Sequence, residues 1–218
     1  MTLSFLTGLV VSGRATPWAV AVFIAIALYI NSKQAFVLWM RRRGGKPSRT
    51  LAVFGAQVLA ATVVLLPFLW GSLGPLMPYA LAPLVYLLCL KFLGEHSLLT
   101  EISGFVLLSL SALLAKLAVT GVIDPALFAT VAIFFTAGIF KVRIQLRKGI
   151  LYRVLMFIYL GCAFAVYLLI HTPVLVLLPL IDNLIFAVTL YQLKLRMTGW
   201  LEVLKGVVFL LLMAYGFH

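Results

Sequence analysis

Long apolar runs separated by short breaks dominate this chain, and they constrain its fold more than any other feature. Eight runs are long enough, or nearly so, for a membrane-spanning helix, which needs about 20 mostly apolar residues. Together with one short run at the start, they lie at residues 1–12, 17–40, 51–70, 76–93, 98–120, 125–140, 151–171, 173–195 and 200–217. Glycines and prolines fill the breaks, as expected at helix ends. The pattern predicts an all-α polytopic integral membrane bundle of about nine transmembrane helices, forming a single transmembrane domain over residues 1–218.

Composition excludes the soluble classes of protein. The chain is 65% hydrophobic and 10% charged, with a mean hydropathy of +1.20. A soluble domain is roughly 45–50% apolar and about 25% charged. We therefore expect neither a water-soluble enzyme nor a nucleic-acid partner. Cys89 and Cys162 both lie in apolar runs without metal-ligand spacing, so we expect no disulfide, no metal site and no cofactor.

The basic residues alternate between loops, and this predicts the orientation. The loops after the second, sixth and eighth runs hold most of them: Arg41, Arg42, Arg43, Lys46 and Arg49; Lys141, Arg143, Arg147 and Lys148; Lys194 and Arg196, with Lys205 close by. The third, fifth and seventh loops have no Lys or Arg. Because basic residues collect in cytoplasmic loops, we expect an inner-membrane protein with a cytoplasmic N-terminus and an external C-terminus.

The first run is too short to span a bilayer. A helix over residues 1–12 would rise about 18 Å, against a hydrocarbon core of roughly 30 Å. Two interpretations stay open. Either the run is a half-helix buried against the bundle, or Met1 falls inside a longer first helix.

Polar residues near the end of the second run need an explanation, since polar groups inside a span are costly. Asn31, Lys33 and Gln34 lie several ångströms below the expected cytoplasmic surface. Asn31 and Gln34 are three positions apart and share a helix face. They form either part of a polar pocket that opens to the cytoplasm or hydrogen bonds between helices, while Lys33 alone can extend to the surface.

The sixth run ends in a basic segment with two faces. If the helix continues, Lys141 and Gln145 share one face, and Arg143 and Arg147 share another. Apolar residues alternate with them, so the segment is expected at the membrane interface. The simplest role for these charges is an orientation signal with attraction for anionic lipid.

Acidic residues occur at two places of interest. Glu95, His96 and Glu101 follow the fourth run on the expected basic side. Glu95 and His96 are candidates for an acid/base pair, although salt bridges to neighbouring arginines are the simpler reading. Asp182 and Asn183 lie near the middle of the eighth run, where a lone Asp must be protonated, paired or in a wet cavity.

Two short segments carry a family resemblance. Residues 95–101 read EHSLLTE, which resembles the Glu-Arg-Ser-Leu-Leu-Asn-(Asp/Glu) stretch of the YwiC-like bacterial membrane family. Residues 138–147 read GIFKVRIQLR, which resembles that family's Gly-x-x-x-Val-Arg-x-x-Ile-Arg stretch. The chain departs from the family at His96 and lacks its early His-Gly-Ala-Trp segment.

That family in turn resembles the UbiA-type prenyltransferases. The resemblance implies a UbiA-like nine-helix bundle, with two polar motifs at the cytoplasmic ends of helices two and six. In those enzymes the motifs bind diphosphate through Mg²⁺. Here Asn31 matches the leading Asn, whereas Ser32, Ala35, Lys141 and Gln145 stand at the aspartate positions. Without these carboxylates there is no ordinary Mg²⁺ site, so the resemblance implies binding without classical prenyl transfer.

The functional expectation is an isoprenoid- or anionic lipid-binding membrane protein. We expect the anionic head near Asn31, Lys33, Gln34, Lys141 and Arg143, with Gln145 in the same cavity and Glu95, His96 or Glu101 at its rim. Two alternatives stay open. The chain could be an accessory or assembly subunit with a membrane-protein partner, or a Mg²⁺-independent prenyltransferase-like enzyme that uses Glu95, His96 or Glu101. A transporter ranks third, supported only by Asp182.

Overall fold

A computed structural model describes residues 1–14, 16–41, 49–147, 150–190 and 194–216. Within these ranges the regular structure is helical. The helices are α1 (Thr2–Ser12), α2 (Pro17–Arg41), α3 (Arg49–Leu69), α4 (Leu73–Leu76), α5 (Leu81–Leu93), α6 (Leu98–Thr120), α7 (Pro125–Arg147), α8 (Ile150–Leu169), α9 (Leu178–Thr189) and α10 (Leu195–Gly216). Short 3₁₀ turns lie at Trp70–Ser72, Met77–Ala80 and Val174–Leu177.

Six helical stretches in the described part of the chain are long and apolar enough to cross a membrane. The predicted count of about nine is not confirmed. Helix α1 has only 11 residues, and the apolar stretch Leu175–Thr189 is also shorter than a span. In addition, one of the six stretches, Arg49–Leu93, has 45 residues. At 1.5 Å per residue its length is about 67 Å, which equals roughly two bilayer cores and is enough for two spans.

Helix boundaries agree with the sequence pattern where a strong start signal exists. Prolines begin α2 and α7 at Pro17 and Pro125, as their fixed φ favours. Helix α7 continues to Arg147 and so includes the basic segment. Helix α9 ends at Thr189, before the predicted residue 195, because Leu190 takes a left-handed conformation with φ 50° and caps the helix.

Helix α1 packs inside the bundle. It lies against α6 and α10, and its buried residues include Phe5 and Gly8. A Cβ on Gly8 would lie 2.2 Å from the carbonyl oxygen of Ala112, so only glycine permits this close approach of α1 and α6.

Helix α6 lies between two groups of helices. It packs against α1, α2, α5 and α7. On one side α2 packs mainly against α3, and on the other α7 packs against α8, α9 and α10. The second side is held by an aromatic core in which the rings of Phe134 and Phe209 stack with centroids 4.0 Å apart. The charged residues of α2 therefore lie in a different group of helices from those of α7, and α6 is the helix that packs against both groups.

Candidate functional sites

The first candidate site is a cluster of charged and aromatic residues at one end of α2, α6, α7 and α8. We call it the edge cluster, and it consists of Lys33, Glu95, His96, Glu101, Arg143, Arg147 and Tyr152. Lys33 Nζ on α2 lies 3.4 Å from Glu95 Oε1. The same ammonium lies 5.7 Å from the centre of the Tyr86 ring, within the range of a cation–π contact.

Arg143 is the centre of the edge cluster. Its Nε donates to Glu101 Oε2 at 2.8 Å, and its Nη2 donates to the carbonyl of His96 at 2.8 Å. The hydroxyl of Tyr152 accepts from Arg147 Nη1 at 3.1 Å and lies 3.5 Å from Arg143 Nη1. The Arg143 side chain is 7% exposed and that of Glu101 is 34% exposed, so the cluster opens on its acidic side.

The segment 95–101 connects α2 to α7 through this cluster. Glu95 contacts Lys33 of α2, and Glu101 contacts Arg143 of α7. Ser97 fixes the segment because its hydroxyl caps α6, accepting from the backbone N–H of Thr100 at 3.1 Å. A helix cap therefore places two carboxylates and one carbonyl where basic side chains from two separate helices reach them.

The second candidate site lies inside α7, α9 and α10. We call it the intramembrane quartet, and it consists of Lys141, Asp182, Glu202 and Lys205. Lys141 Nζ lies 2.5 Å from Asp182 Oδ2 and 3.5 Å from Glu202 Oε1. Lys205 Nζ lies 3.1 Å from Asp182 Oδ2 and 2.6 Å from Glu202 Oε1. Each carboxylate therefore contacts both ammonium groups, and the four charges alternate around a ring.

The surroundings of the quartet are partly polar and tightly packed. Asn183, 1% exposed, accepts a hydrogen bond from Lys205 Nζ at 2.6 Å. The Phe186 ring lies 5.4 Å from Lys141 Nζ. Gly138 of α7 leaves room for Glu202, because a Cβ there would lie 3.2 Å from Glu202 Oε2. Asn183 and Phe186 therefore help to position the two lysines, and Gly138 leaves space for the Glu202 carboxylate.

Burial within the quartet is uneven. The Lys141 side chain has no exposed surface and that of Lys205 is 9% exposed, whereas those of Asp182 and Glu202 are 29% and 25% exposed. Lys205 lies near the middle of the 22-residue helix α10, about 15 Å from either end. Any species that enters this site from outside therefore meets the carboxylates first.

A third ion pair, at the opposite end of α7 from Arg147, serves as a reference. Lys116 Nζ donates to Asp124 Oδ2 at 2.6 Å, and Asp124 Oδ1 accepts from the backbone N–H of Leu127. Burial acts to raise the pKa of Asp124, but the hydrogen bonds from Lys116 and the backbone outweigh it, so this pKa lies below its ordinary value. Lys116 near the end of α6 is thus held by Asp124.

The contacts of α7 match the two predicted faces. On one face Lys141 reaches Asp182, and Gln145 Nε2 donates to Thr198 Oγ1 at 2.8 Å. On the other face Arg143 and Arg147 both reach Tyr152. Salt bridges from Glu95 and His96 to neighbouring arginines were the simpler expectation; in the structure Glu95 contacts Lys33, and the acidic residue that pairs with an arginine is Glu101, with Arg143.

The predicted convergence of the helix-two and helix-six residues is only indirect. Asn31 and Gln34 are exposed on α2, whereas Lys141 is buried in the quartet. Helix α2 packs mainly against α3 and α6. The link between the two helices is segment 95–101, which is contacted by Lys33 of α2 and by Arg143 of α7. A single cavity that holds Asn31, Gln34, Lys141 and Gln145 stays a prediction.

Sequence reasoning missed Glu202 and Lys205, as well as Tyr152. Glu202 lies near the start of the run at residues 200–217 and has no predicted role, and Lys205 is grouped with the nearby loop charges. The available signal was their spacing of three residues, which puts them on one helix face. Among the described residues no group of three His, Cys, Asp or Glu side chains could hold a metal ion.

The fold and these sites define a polytopic helical membrane protein with charged residues inside its spans. A family profile described as YwiC-like protein matches residues 1–116, so the chain belongs to the YwiC-like family. The match includes segment 95–101 and ends before the 138–147 segment. Comparison with curated proteins and with solved structures found no match.

Proposed function

We propose that this protein binds an isoprenoid or an anionic lipid-like amphiphile at its cytoplasmic face, without metal-dependent prenyl transfer. The edge cluster is the site for the anionic head. The apolar tail lies along the lipid-facing surface of the spans, and membrane lipids are the first partners expected.

The observation that supports this proposal most directly is the charge of the edge cluster. Three basic side chains and two carboxylates meet there, so positive charge exceeds negative charge by one among these lysine, arginine and glutamate side chains. The whole chain has seventeen basic residues against five acidic ones, so most basic side chains have no acidic residue to match them. A phosphate-bearing head supplies the missing negative charge, and arginine binds such groups in a bidentate manner.

The finer points of topology belong to this proposal. We infer a UbiA-like arrangement in which α1 and α9 are short members of a nine-helix bundle. The N-terminus is cytoplasmic and the C-terminus external, in the bacterial inner membrane, as the alternation of basic loops favours. Reporter tags inserted after Gly44 and Gly149 should then report cytoplasmic, and tags after Ser72 and Thr172 external. An external report after Gly149 contradicts this topology.

The two alternatives receive less support. A Mg²⁺-independent transferase would use Glu95, His96 or Glu101 as acid or base, but both carboxylates contact cations and His96 contributes its carbonyl to Arg143. These contacts favour positioning over proton transfer. An accessory subunit would be recognised by a membrane protein that co-purifies at fixed stoichiometry.

The proposal is tested by native mass spectrometry in detergent with phosphatidylglycerol and, separately, farnesyl diphosphate as probes. Lys33→Gln combined with Arg143→Gln should weaken probe binding at least about tenfold, equivalent to about 1.4 kcal/mol, since charge-assisted contacts are lost. The matched control is Lys116→Gln with Asp124→Asn, which removes an ion pair at the other end of α7. Equal binding by the edge variant and the control contradicts the proposal.

A further inference from the structure

The intramembrane quartet has properties that lipid binding at the edge cluster does not explain. Its four ionisable side chains come from three helices, and Lys205 lies about 15 Å from each end of a helix that is long enough to span a bilayer. Ionisable groups at this depth are costly and commonly mark ion pathways or proton relays. Moreover, buried ion pairs are rarely more stabilising than apolar residues of similar volume. Stability alone is therefore a poor reason for four charges.

The ring geometry allows the quartet to gain or lose one charge. If Asp182 takes up a proton, both lysines still contact Glu202, at 3.5 and 2.6 Å. If Lys141 loses a proton, both carboxylates still contact Lys205, at 3.1 and 2.6 Å. An isolated ion pair lacks this property, because removal of one charge leaves the other without a partner. The quartet therefore passes through a singly changed state at lower cost than a simple pair.

Access to the quartet favours entry at the carboxylates. Asp182 and Glu202 are each about a quarter exposed, whereas Lys141 is fully buried behind them. Gly138 keeps the Glu202 carboxylate close to α7, since a Cβ there would lie 3.2 Å from its Oε2. A small cation reaches the carboxylates first, and the lysines behind them repel any cation that carries a permanent charge. A proton fits best, since it neutralises the group that it binds.

Other charged groups on the neighbouring helices face elsewhere. On α8, Arg153 donates to the carbonyls of Ala187 and Val188 on α9. On α6, Glu101 pairs with Arg143 and Lys116 pairs with Asp124. Helix α1 and the 3₁₀ turn Val174–Leu177 contain no ionisable side chain. Four close contacts between opposite charges thus join the members of the quartet to one another.

We propose that the quartet is a proton-exchange site, and that the protein moves protons through the membrane by means of it. A hydronium ion gives its proton to a carboxylate oxygen of Asp182 or Glu202, which forms an O–H bond and releases water. The ring then carries one positive charge. Release of the proton to water on the other side restores the neutral ring, and the transmembrane proton gradient drives the net transfer.

The test is proton flux in sealed proteoliposomes that contain the purified full chain and an internal pH-sensitive dye. A potassium gradient with valinomycin sets the membrane potential. Wild-type protein should acidify the lumen faster than protein-free vesicles. Lys141→Met with Asp182→Asn, which keeps the net charge, should lose this flux, and so should Glu202→Gln with Lys205→Met. The control Lys116→Met with Asp124→Asn should keep it, and size-exclusion profiles identify any variant that fails to fold.

Several outcomes overturn the proposal. Wild-type flux equal to that of protein-free vesicles is one, and full flux in both folded quartet variants is another. A dye signal that disappears when Na⁺ is replaced by choline means that transport requires this metal ion, and that outcome assigns the site to a metal cation instead. If both quartet variants fail to fold, Asp182→Asn alone gives the answer, since Lys141 and Lys205 keep Glu202 as a partner. Protonation of Glu202 in this variant would take from both lysines their last carboxylate in the ring, so the flux should fall, and unchanged flux overturns the proposal.

Discussion

The edge cluster and the intramembrane quartet use the same kinds of side chain, yet they differ in depth and in how the charges are shared. In the edge cluster each acid has its own main cation, as in Arg143 with Glu101, and positive charge is in excess. In the quartet two acids share two lysines, and the net charge is zero. The comparison teaches that an unbalanced cluster near a helix end suits an anionic ligand, whereas a balanced ring inside the spans suits the exchange of a proton.

The largest expected effect comes from breaking the ring on one side only. Lys141→Met removes a fully buried cation and leaves Lys205 as the remaining lysine of the ring beside Asp182 and Glu202. We expect a loss of about 3 kcal/mol in the free energy of unfolding, at the low end of the range for buried pairs that lose one partner, because Lys205 still contacts both carboxylates. Adding Asp182→Asn should recover a large part of it. Thermal unfolding in detergent measures both variants, and an additive double variant would show that the two groups are not coupled.

Arg143→Gln should have a smaller effect than Lys141→Met, and this sharpens the comparison. Its partner Glu101 is 34% exposed, so water can solvate the carboxylate once the arginine is gone. We expect a loss of about 1–3 kcal/mol, the cost of charge-assisted hydrogen bonds. The same unfolding assay measures it. A loss equal to that of Lys141→Met would mean that depth does not distinguish the two clusters.

Gly138→Ala tests the contact between Glu202 and α7. The added methyl group would lie 3.2 Å from Glu202 Oε2, which displaces the carboxylate from the ring by a few tenths of an ångström. We expect a loss of about 1 kcal/mol, at the low end of the cost of overpacking. Gly161→Ala on α8 is the matched control because nothing lies within 4 Å of its Cβ position. Equal stability of the two variants would show that Gly138 makes no room for Glu202.

The smallest effect is expected at the isolated pair Lys116–Asp124, and it depends on pH. The folded-state pKa of Asp124 lies below its ordinary value. Its contribution to stability is therefore present above the ordinary carboxyl pKa, near 4, and is lost as the pH falls through the lowered value. Unfolding temperatures measured from neutral to acidic pH should fall less steeply for Asp124→Asn than for wild type. An identical pH dependence of the unfolding temperature in the two proteins would mean that the pKa of Asp124 does not change on folding.

Much of the fold could be predicted from the sequence because local signals were strong. The starts of α2, α6 and α7 follow from Pro17, Ser97 and Pro125, which are a first-turn proline, a capping serine and another first-turn proline. The division into spans was harder. Nothing in the apolar pattern distinguishes the short α9 from a full span, since Leu190 ends that helix through its backbone conformation.

The candidate sites could be predicted only in part. The two faces of α7 follow from helix periodicity, and an acidic segment that contacts basic side chains follows from charge on one side of the membrane, although the arginine partner is Glu101 and not Glu95. The partners of Asp182 depend on how α7, α9 and α10 pack together, and no local pattern encodes that arrangement. Glu202 and Lys205 were missed because charges near a predicted helix start are usually at the interface.

The most direct test of the difference between the two clusters is infrared difference spectroscopy of the purified protein between mildly alkaline and mildly acidic pH. We predict a protonated-carboxyl band in wild type that disappears in Asp182→Asn with Lys141→Met and persists in Glu101→Gln. A band that is unchanged in the quartet variant, or that disappears only in Glu101→Gln, would place the exchangeable proton outside the quartet and contradict the proton-exchange role of the quartet.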